Sequence, residues 1–311
     1  MKRYVLTSVL LTAITVAGCV APSSPATFAT LNSAGTPVAT PVADIAARVQ
    51  ALLPLDALLL GEQHDAPDHQ RIHREVIEAL AARGALAGVV LEMAMQGNST
   101  ASLVNTGGTL ASEESVRAAL KWEEPAWPWA AYAPAIMAAV RAGVPVMGSN
   151  MPRAQMGAAM QQPDLDQRLN GPALKAQQQL IRIGHCNLLP EGQISPMTRI
   201  QIARDVAMAN AVVQAHATAA LSNGAPANPA QPGTAAKTGN TVVLLAGSGH
   251  VDRTLGVPQH LPQSMTVKSV LLVAGNASEA GGRAADFDAV WSAAAAPPQD
   301  YCAGLKAKIK G

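Results

Sequence analysis

ALLLGEQHD, residues 57–65, is a run of four apolar residues that leads straight into a glycine and a polar cluster. A continuous apolar run, as opposed to an alternating one, marks a strand buried on both faces, and such strands belong to parallel sheets covered by helices. The stretch after it, Pro67 to about Arg83, carries Ile72, Val76 and Leu80 along one helical stripe. The same alternation recurs outward along the chain. Apolar runs at 88–91, 144–147, 242–246 and 267–273 are separated by helical patterns near 133–142 and 197–221. The expected fold is α/β: a largely parallel sheet flanked by helices, with an adjacent helical lobe over about residues 100–220.

In open parallel sheets ligands bind beyond the carboxyl ends of the strands. Three polar clusters stand at such ends: Gly61-Glu62-Gln63-His64-Asp65, Glu92 in Leu91-Glu92-Met93, and Gly247-Ser248-Gly249-His250. Glu62, His64, Glu92 and His250 are therefore expected to share one crevice. Carboxylates beside imidazoles suit acid–base catalysis, and Glu62, His64 and His250 suit a divalent transition metal. Mutual hydrogen bonding that fixes the strand ends is the structural alternative. His69 and His73 lie four apart on one helix face, where capping the buried edge outweighs metal ligation because no Glu follows His69.

The 311 residues are 49% hydrophobic and 14% charged with a formal net charge of +1, which excludes a disordered polyelectrolyte and argues against a nucleic-acid partner. Lys2 and Arg3 precede an apolar stretch of about 13 residues, too short to span a bilayer and laid out like a secretory signal. It ends in Val16-Ala17-Gly18-Cys19, which resembles a bacterial lipoprotein signal, with residues 1–18 removed and Cys19 carrying lipid. The membrane is then reached through the lipid anchor only. Removing Lys2 and Arg3 leaves 20 basic residues of 22 against 21 acidic ones. Residues 19–42 read as a flexible linker, 43–300 as the folded domain, about 222–240 as a disordered surface insertion, and 301–311 as a tail. Cys186 and Cys302 remain in the mature chain, and a disulfide or two separate thiols fit equally.

Aromatic residues make up 3% of the chain, yet Trp122, Trp127, Trp129 and Tyr132 fall within eleven residues. Such a concentration builds either a local core or a ligand-facing platform.

Taken together, GEQHDAPDHQ, the Glu-Met pair at 92–93, SNMPR at 149–153, HCNLLPEG at 185–192, QIARDVAMA at 201–209 and AGSGHVDRTLGVPQHL at 246–261 resemble the ChaN family of haem-binding lipoproteins. That family is related to the Tiki and erythromycin-esterase groups, and the resemblance covers about residues 50–275. It implies a parallel-sheet domain, haem as cofactor, a role in bacterial haem or iron acquisition, and a homodimer enclosing two stacked haems, each with a tyrosine on its iron. An outer-membrane haem receptor is an implied partner. Val20 is not the Asp that commonly retains enteric lipoproteins at the inner membrane, so within the cell envelope the outer membrane is favoured. Tyrosine is a recognised axial ligand. Tyr301 lies beyond the matched region, which leaves Tyr132 as the expected ligand, Trp127 and Trp129 as macrocycle neighbours, and His185 as the fallback ligand. Arg153, Arg204 and Arg253 lie in matched motifs and suit the propionates, although Arg204-Asp205 also reads as a structural pair on one helix. The competing class is an enzyme, a metal-dependent or acid–base hydrolase built on Glu62, His64, Glu92 and His250.

Overall fold

The computed structural model describes residues 44–104, 110–124, 126–224 and 239–303. The expected signal segment, Cys19, the linker up to residue 43, most of the 222–240 insertion and the tail beyond residue 303 lie outside the described residues. Six parallel strands form one sheet: β1 (Ala57–Glu62), β2 (Leu86–Met95), β3 (Val146–Asn150), β4 (Thr241–Gly247), β5 (Val267–Ala274) and β6 (Ala289–Ala293). Their order across the sheet is β3-β2-β4-β1-β5-β6. The most apolar strands, β1 and β4, take the centre.

The continuous hydrophobicity of β1 has a direct structural cause. Successive side chains point to opposite faces, and each face has its own core. Leu58 and Leu60 pack with Ile72, Val76 and Leu80 of α2 (Pro67–Ala82) and Ile136 and Val140 of α5 (Trp129–Arg141). Ala57 and Leu59 pack with Met208, Val212 and Ala215 of the long helix α8 (Glu191–Gly224). Because both faces are covered, every residue of β1 is buried. The helix α1 (Ile45–Leu52) joins the α2 face, and the shorter α3 (Ala101–Val104) and α4 (Glu113–Leu120) lie between β2 and α5 in the chain.

The helical lobe is more compact than residues 100–220. It consists of α6 (Arg153–Met160), a 3₁₀ turn (Pro163–Arg168), α7 (Gly171–Gly184) and the first half of α8, with a small core of Met151, Ala159 and Ala203. Within the range that the sequence assigned to the lobe, β3 joins the sheet and α5 packs against it. The strand β6 was not expected at all, and it pairs only with β5 at the sheet edge.

Cys186 and Cys302 form a disulfide across 116 residues of sequence. It joins the turn after α7 to a short helical turn at residues 301–303. Among the described residues, no helix is long and apolar enough to cross a membrane.

Candidate functional site

Parallel strands bring all their carboxyl ends to one edge, and the register places Glu62 of β1 opposite Gly247 of β4. Leu91 of β2 pairs with Leu245 of β4, so Glu92 emerges at nearly the same level. Two glycines permit the close approach. A Cβ on Gly61 would stand 2.5 Å from Cγ2 of Val251 and 2.9 Å from Cα of Ser248, because the loop after β4 lies directly on β1. A Cβ on Gly247 would stand 2.9 Å from Nε2 of His64. These contacts let the two loops and the imidazole fold over the strand ends.

Glu62, His64, Glu92 and His250 line a single cavity of about 830 Å³, together with Trp127, Tyr132, Arg204 and Tyr301. At its floor, Glu62 is buried and both carboxylate oxygens are in use. Oε1 accepts the Tyr132 hydroxyl at 2.7 Å and His64 Nδ1–H at 2.7 Å, and Oε2 accepts the Gln70 amide at 2.6 Å. Burial alone would raise this carboxyl, but the His64 bond, the nearby His73 and the Tyr132 bond outweigh it and hold Glu62 below its ordinary value.

A second carboxylate stands beside it. Glu92 accepts the Gly247 amide at 2.7 Å and the Arg204 guanidinium at 2.6 Å, with His250 Nε2 at 3.4 Å. Burial opposes its ionisation, yet the charges of His250, His64 and Arg204 keep it well below the carboxylate range. His250 Nδ1 is hydrogen-bonded to the buried Asp205 on α8. Burial disfavours its imidazolium form, but Glu92 and Asp205 outweigh that and carry its pKa up to about 9. His64 is also raised, by its Glu62 bond and by Glu92, against the effect of burial. Its Nε2 lies 3.7 Å from Glu92. The floor is thus a closed alternation of carboxylates and cationic or donor groups, each buried charge paired as its low-dielectric setting requires.

The walls differ in character. Trp127 meets His64 edge-to-face at 4.8 Å and forms, with Ala126 and Pro128, the apolar side. His64, Asp65 and Pro128 are shared with a neighbouring slot of about 440 Å³, lined by Pro67, Ala130, Ala131 and Pro134 and edged by Arg71 and Arg74. The aromatic segment is divided between its two expected roles. Trp122 and Trp129 meet edge-to-face at 5.1 Å against the core, while Trp127 alone of the three tryptophans reaches the cavity.

Several expected site residues are placed differently. Tyr132 is buried, and its hydroxyl is committed to Glu62. Burial first, then the Glu62 charge and hydrogen bond, push the phenol far above its usual range. This environment works against the phenolate that an iron ligand must supply. His185 lies after α7 with Nδ1 donating to the Ile181 carbonyl, and it does not line the cavity. Arg153 is exposed at the start of α6. Arg253 reaches the Ala285 carbonyl and Asp288 on the outer side of the loop after β4. Neither arginine lines the cavity. Arg204 does, but it does not pair with Asp205. Neighbours on a helix point about 100° apart, and the two diverge to Glu92 and His250 respectively.

Sequence reasoning missed Asp205 as the partner of His250 and Gln70 as a donor to Glu62. It also passed over Tyr301, which lines the cavity mouth, is 58% exposed, donates to Asp65 at 2.7 Å and accepts from the Gln63 amide at 3.2 Å. The one available signal was its position next to Cys302. His69 behaves as a structural histidine, with Nδ1 accepting the Gln63 amide at 2.9 Å.

The polar cluster as it stands does not suit a metal ion. Both oxygens of Glu62 and of Glu92 already accept hydrogen bonds. Among the described residues no three His, Cys, Asp or Glu side chains converge as a ligand set.

A family model described as haem-binding uptake, Tiki superfamily, ChaN, matches residues 48–261. Among solved structures, one titled as cofacial heme binding to ChaN of Campylobacter jejuni is similar at 23% identity and a TM-score of 0.54, over 74% of this chain and 86% of that one. At that identity the likeness is one of fold. A structure of the type III effector HopBA1 aligns over 74% of this chain and 83% of its own at 14% identity and a TM-score of 0.39. No curated protein matches.

Proposed function

We propose that this chain, which belongs to the ChaN family of haem-binding uptake proteins in the Tiki superfamily, binds haem in the cavity at the strand ends and serves haem or iron acquisition. The observation that carries this reading is the shape and chemistry of the cavity itself. A volume of about 830 Å³ lies within the usual range of cofactor sites, roughly 300–1,000 Å³.

The residues present fit the group. Haem needs an apolar face for its macrocycle, cations for its two carboxylates and an axial donor for its iron. Ala126, Trp127 and Pro128 supply the first, continued by the slot along Ala130, Ala131 and Pro134. Arg204 on one side and Arg71 and Arg74 on the other are the cations at the edges. Two tyrosines, Tyr132 and Tyr301, line the cavity, so a tyrosine ligand is within reach. The chain's own work is to exclude water from one face of the ligand and to keep the buried carboxylates neutralised beneath it.

The wide mouth leaves one face of a bound macrocycle open, and a second copy of the chain stacked mouth to mouth would cover it. The Campylobacter jejuni protein is titled for such cofacial binding. The same reading includes a lipid anchor at Cys19, supported by the Lys2-Arg3 to Cys19 pattern, an outer-membrane attachment favoured by Val20, and, with the haem-uptake role, an outer-membrane haem receptor as partner. Fatty-acid labelling that persists in Cys19→Ala would overturn the anchor.

Haemin titration of the full chain in detergent, followed by the Soret band, tests the central claim. Saturable binding that weakens by up to roughly tenfold in Trp127→Ala is expected, the loss of one aromatic contact. A titration without saturation overturns it. Sedimentation with and without haemin reads the dimer, which predicts a doubled mass on loading.

A second reading, acid–base hydrolysis, has its own specific support. Glu62 orients His64 through Nδ1 and leaves Nε2 at the cavity, the relation of an orienting carboxylate to a general base. Ester turnover that disappears in His64→Asn while haemin binding persists would establish it.

A further inference from the structure

An apolar face stands uncovered on the helical lobe. Among the described residues six large apolar or aromatic side chains are exposed, and four of them gather around the disulfide. Leu180 and Ile183 stand near the end of α7, 41% and 54% exposed, and Leu188 follows in the turn after it at 37%. Tyr301 precedes Cys302, whose Cα lies 5.6 Å from that of Cys186 in the same turn. With the exposed Ala176, Leu180 and Ile183 fall at i, i+4 and i+7 and so share one stripe of the helix. The other side of α7 carries the buried Gln177 and Ile181. The helix thus has an inward face already buried and a second, apolar face turned to solvent. The backbone under this patch is fixed. The Cys186 amide donates to the Ile183 carbonyl at 2.8 Å, the Asn187 amide to the Arg182 carbonyl at 2.8 Å and the Leu188 amide to the His185 carbonyl at 3.0 Å.

Charge accompanies the stripe. Arg182 is paired with Glu191, and Asp300 accepts the amides of Cys302 and Ala303 at 3.0 and 2.9 Å. The sequence that continues from Cys302 is AGLKAKIKG, which carries Lys306, Lys308 and Lys310 and no acidic residue. At no more than roughly 3.6 Å per residue, the Cα atoms of all three lie within about 29 Å of Cys302. An apolar stripe beside a run of lysines matches the edge of a bilayer with anionic headgroups. Leucine and isoleucine enter the boundary between headgroups and acyl chains, and ammonium groups meet phosphates. A second copy of the chain is a poorer occupant. A two-fold contact sets a patch against itself, and the lysines of both copies would then face one another.

We propose that the α7 stripe and the lysines after Cys302 form a docking surface for an anionic phospholipid bilayer. Docked in this way, the cavity mouth at Tyr301 opens beside the lipid. An apolar ligand dissolved in the bilayer then reaches the cavity without crossing bulk water. The proposal goes beyond the haem reading and requires neither haem nor the anchor at Cys19.

The test uses the full chain without haemin, with vesicles of phosphatidylcholine alone and with vesicles that also contain phosphatidylglycerol. Amide exchange over residues 176–189 is expected to slow by roughly tenfold or more with the anionic vesicles only, while that of β1 and β4 stays the same. High salt should remove most of the slowing, because it screens the attraction between lysines and headgroups. Ile183→Glu and the triple variant Lys306→Gln/Lys308→Gln/Lys310→Gln should each abolish it. Ile183 is exposed, so thermal melts of Ile183→Glu should match wild type and separate this loss from misfolding. In Ile183→Trp, brominated acyl chains in the anionic vesicles should quench emission beyond the wild-type baseline.

Exchange that ignores the anionic lipid would overturn the proposal and leave the haem reading untouched. Slowing that survives either charge variant would overturn it too, because another surface would then be the one that docks. Protection already present without lipid would assign the patch to a second copy if it rises with protein concentration, or to residues 304–311 if it does not. Either result overturns the proposal.

Discussion

The hydroxyl of Tyr132 donates to Oε1 of Glu62 at 2.7 Å, joining α5 to the end of β1 at the floor of the cavity. The same oxygen accepts His64, and the other accepts Gln70. Glu62 is thus a junction that sets the direction of the His64 ring and the depth of the cavity, and Tyr132 is part of its support. Replacing Tyr132 by Phe removes a donor from a buried carboxylate without changing the packing volume much. A loss of about 1–3 kcal/mol in unfolding free energy follows, measured by urea denaturation. Haemin binding should survive the substitution. A variant of wild-type stability that has lost its haem spectrum would show that Tyr132 contacts the ligand.

Glu92 holds Arg204, the Gly247 amide and His250 around one carboxylate. Glu92→Gln leaves buried cationic groups facing a neutral amide, and breaking such a set costs about 3–5 kcal/mol. Denaturant titration reads the effect. A double-mutant cycle with Arg204→Met should show coupling between the two, because the cost of Glu92→Gln falls once the guanidinium is absent.

The imidazoles predict a stability maximum close to neutral pH. His250 titrates at about 9 in the folded chain against 6.5 as the reference value, so between these the folded state holds the extra proton. Its contribution is complete below pH 6.5 and is lost as pH rises toward 9. His64, raised by Glu62 and Glu92 against the effect of burial, has the same sign. His73 has the opposite one. Burial lowers it to about 4, so the unfolded state binds the extra proton from 6.5 downward and stability falls as pH drops through that range. Thermal melts from pH 4 to pH 9 should therefore peak near pH ~6.5. His250→Gln should flatten the alkaline limb. It also removes the cation that holds the buried Asp205 down, already raised by burial to about 6, so the acid limb shifts with it. An alkaline limb as steep as that of wild type would place the charge elsewhere.

Gly61→Ala places a Cβ 2.5 Å from the Val251 side chain and 2.9 Å from the Ser248 backbone. The side chain can turn, but the backbone atom cannot give way cheaply. Overpacking of this kind costs about 1–3 kcal/mol, readable in thermal melts. The loop carrying Ser248 to His250 must shift, so haemin affinity should fall with stability. Gly157→Ala on α6, whose Cβ would meet nothing within 4 Å and which does not line the cavity, is the control expected to lower neither.

The parallel sheet could be read from particular residues. Ala57 to Leu60 is apolar at every position because two separate cores press on alternate side chains, and that demand is written locally in the run itself. Glycine and charge at its end marked where the chain had to turn and where polar groups could gather, so Glu62, His64, Glu92 and His250 could be assigned to one crevice. The strand β6 was missed because an edge strand with one neighbour needs only one large apolar residue, Trp291, among Ala289 to Ala293.

Which tyrosine is available, which arginines face the ligand and whether the cysteines join depended on the tertiary structure alone. Tyr132 and Tyr301 carry the same functional group, and nothing in their neighbours along the chain says that one is sealed against Glu62 and the other stands open at the mouth. Arg204 and Asp205 are adjacent on α8 yet serve Glu92 and His250 separately. Cys186 and Cys302 meet across 116 residues because the turn after α7 and the chain after β6 arrive beside each other. A strand or helix is specified by the period of its own residues, whereas the partner of a side chain is specified by which distant elements arrive beside it. That arrival is a property of the packed whole, and it is what turned a row of polar clusters into a cavity.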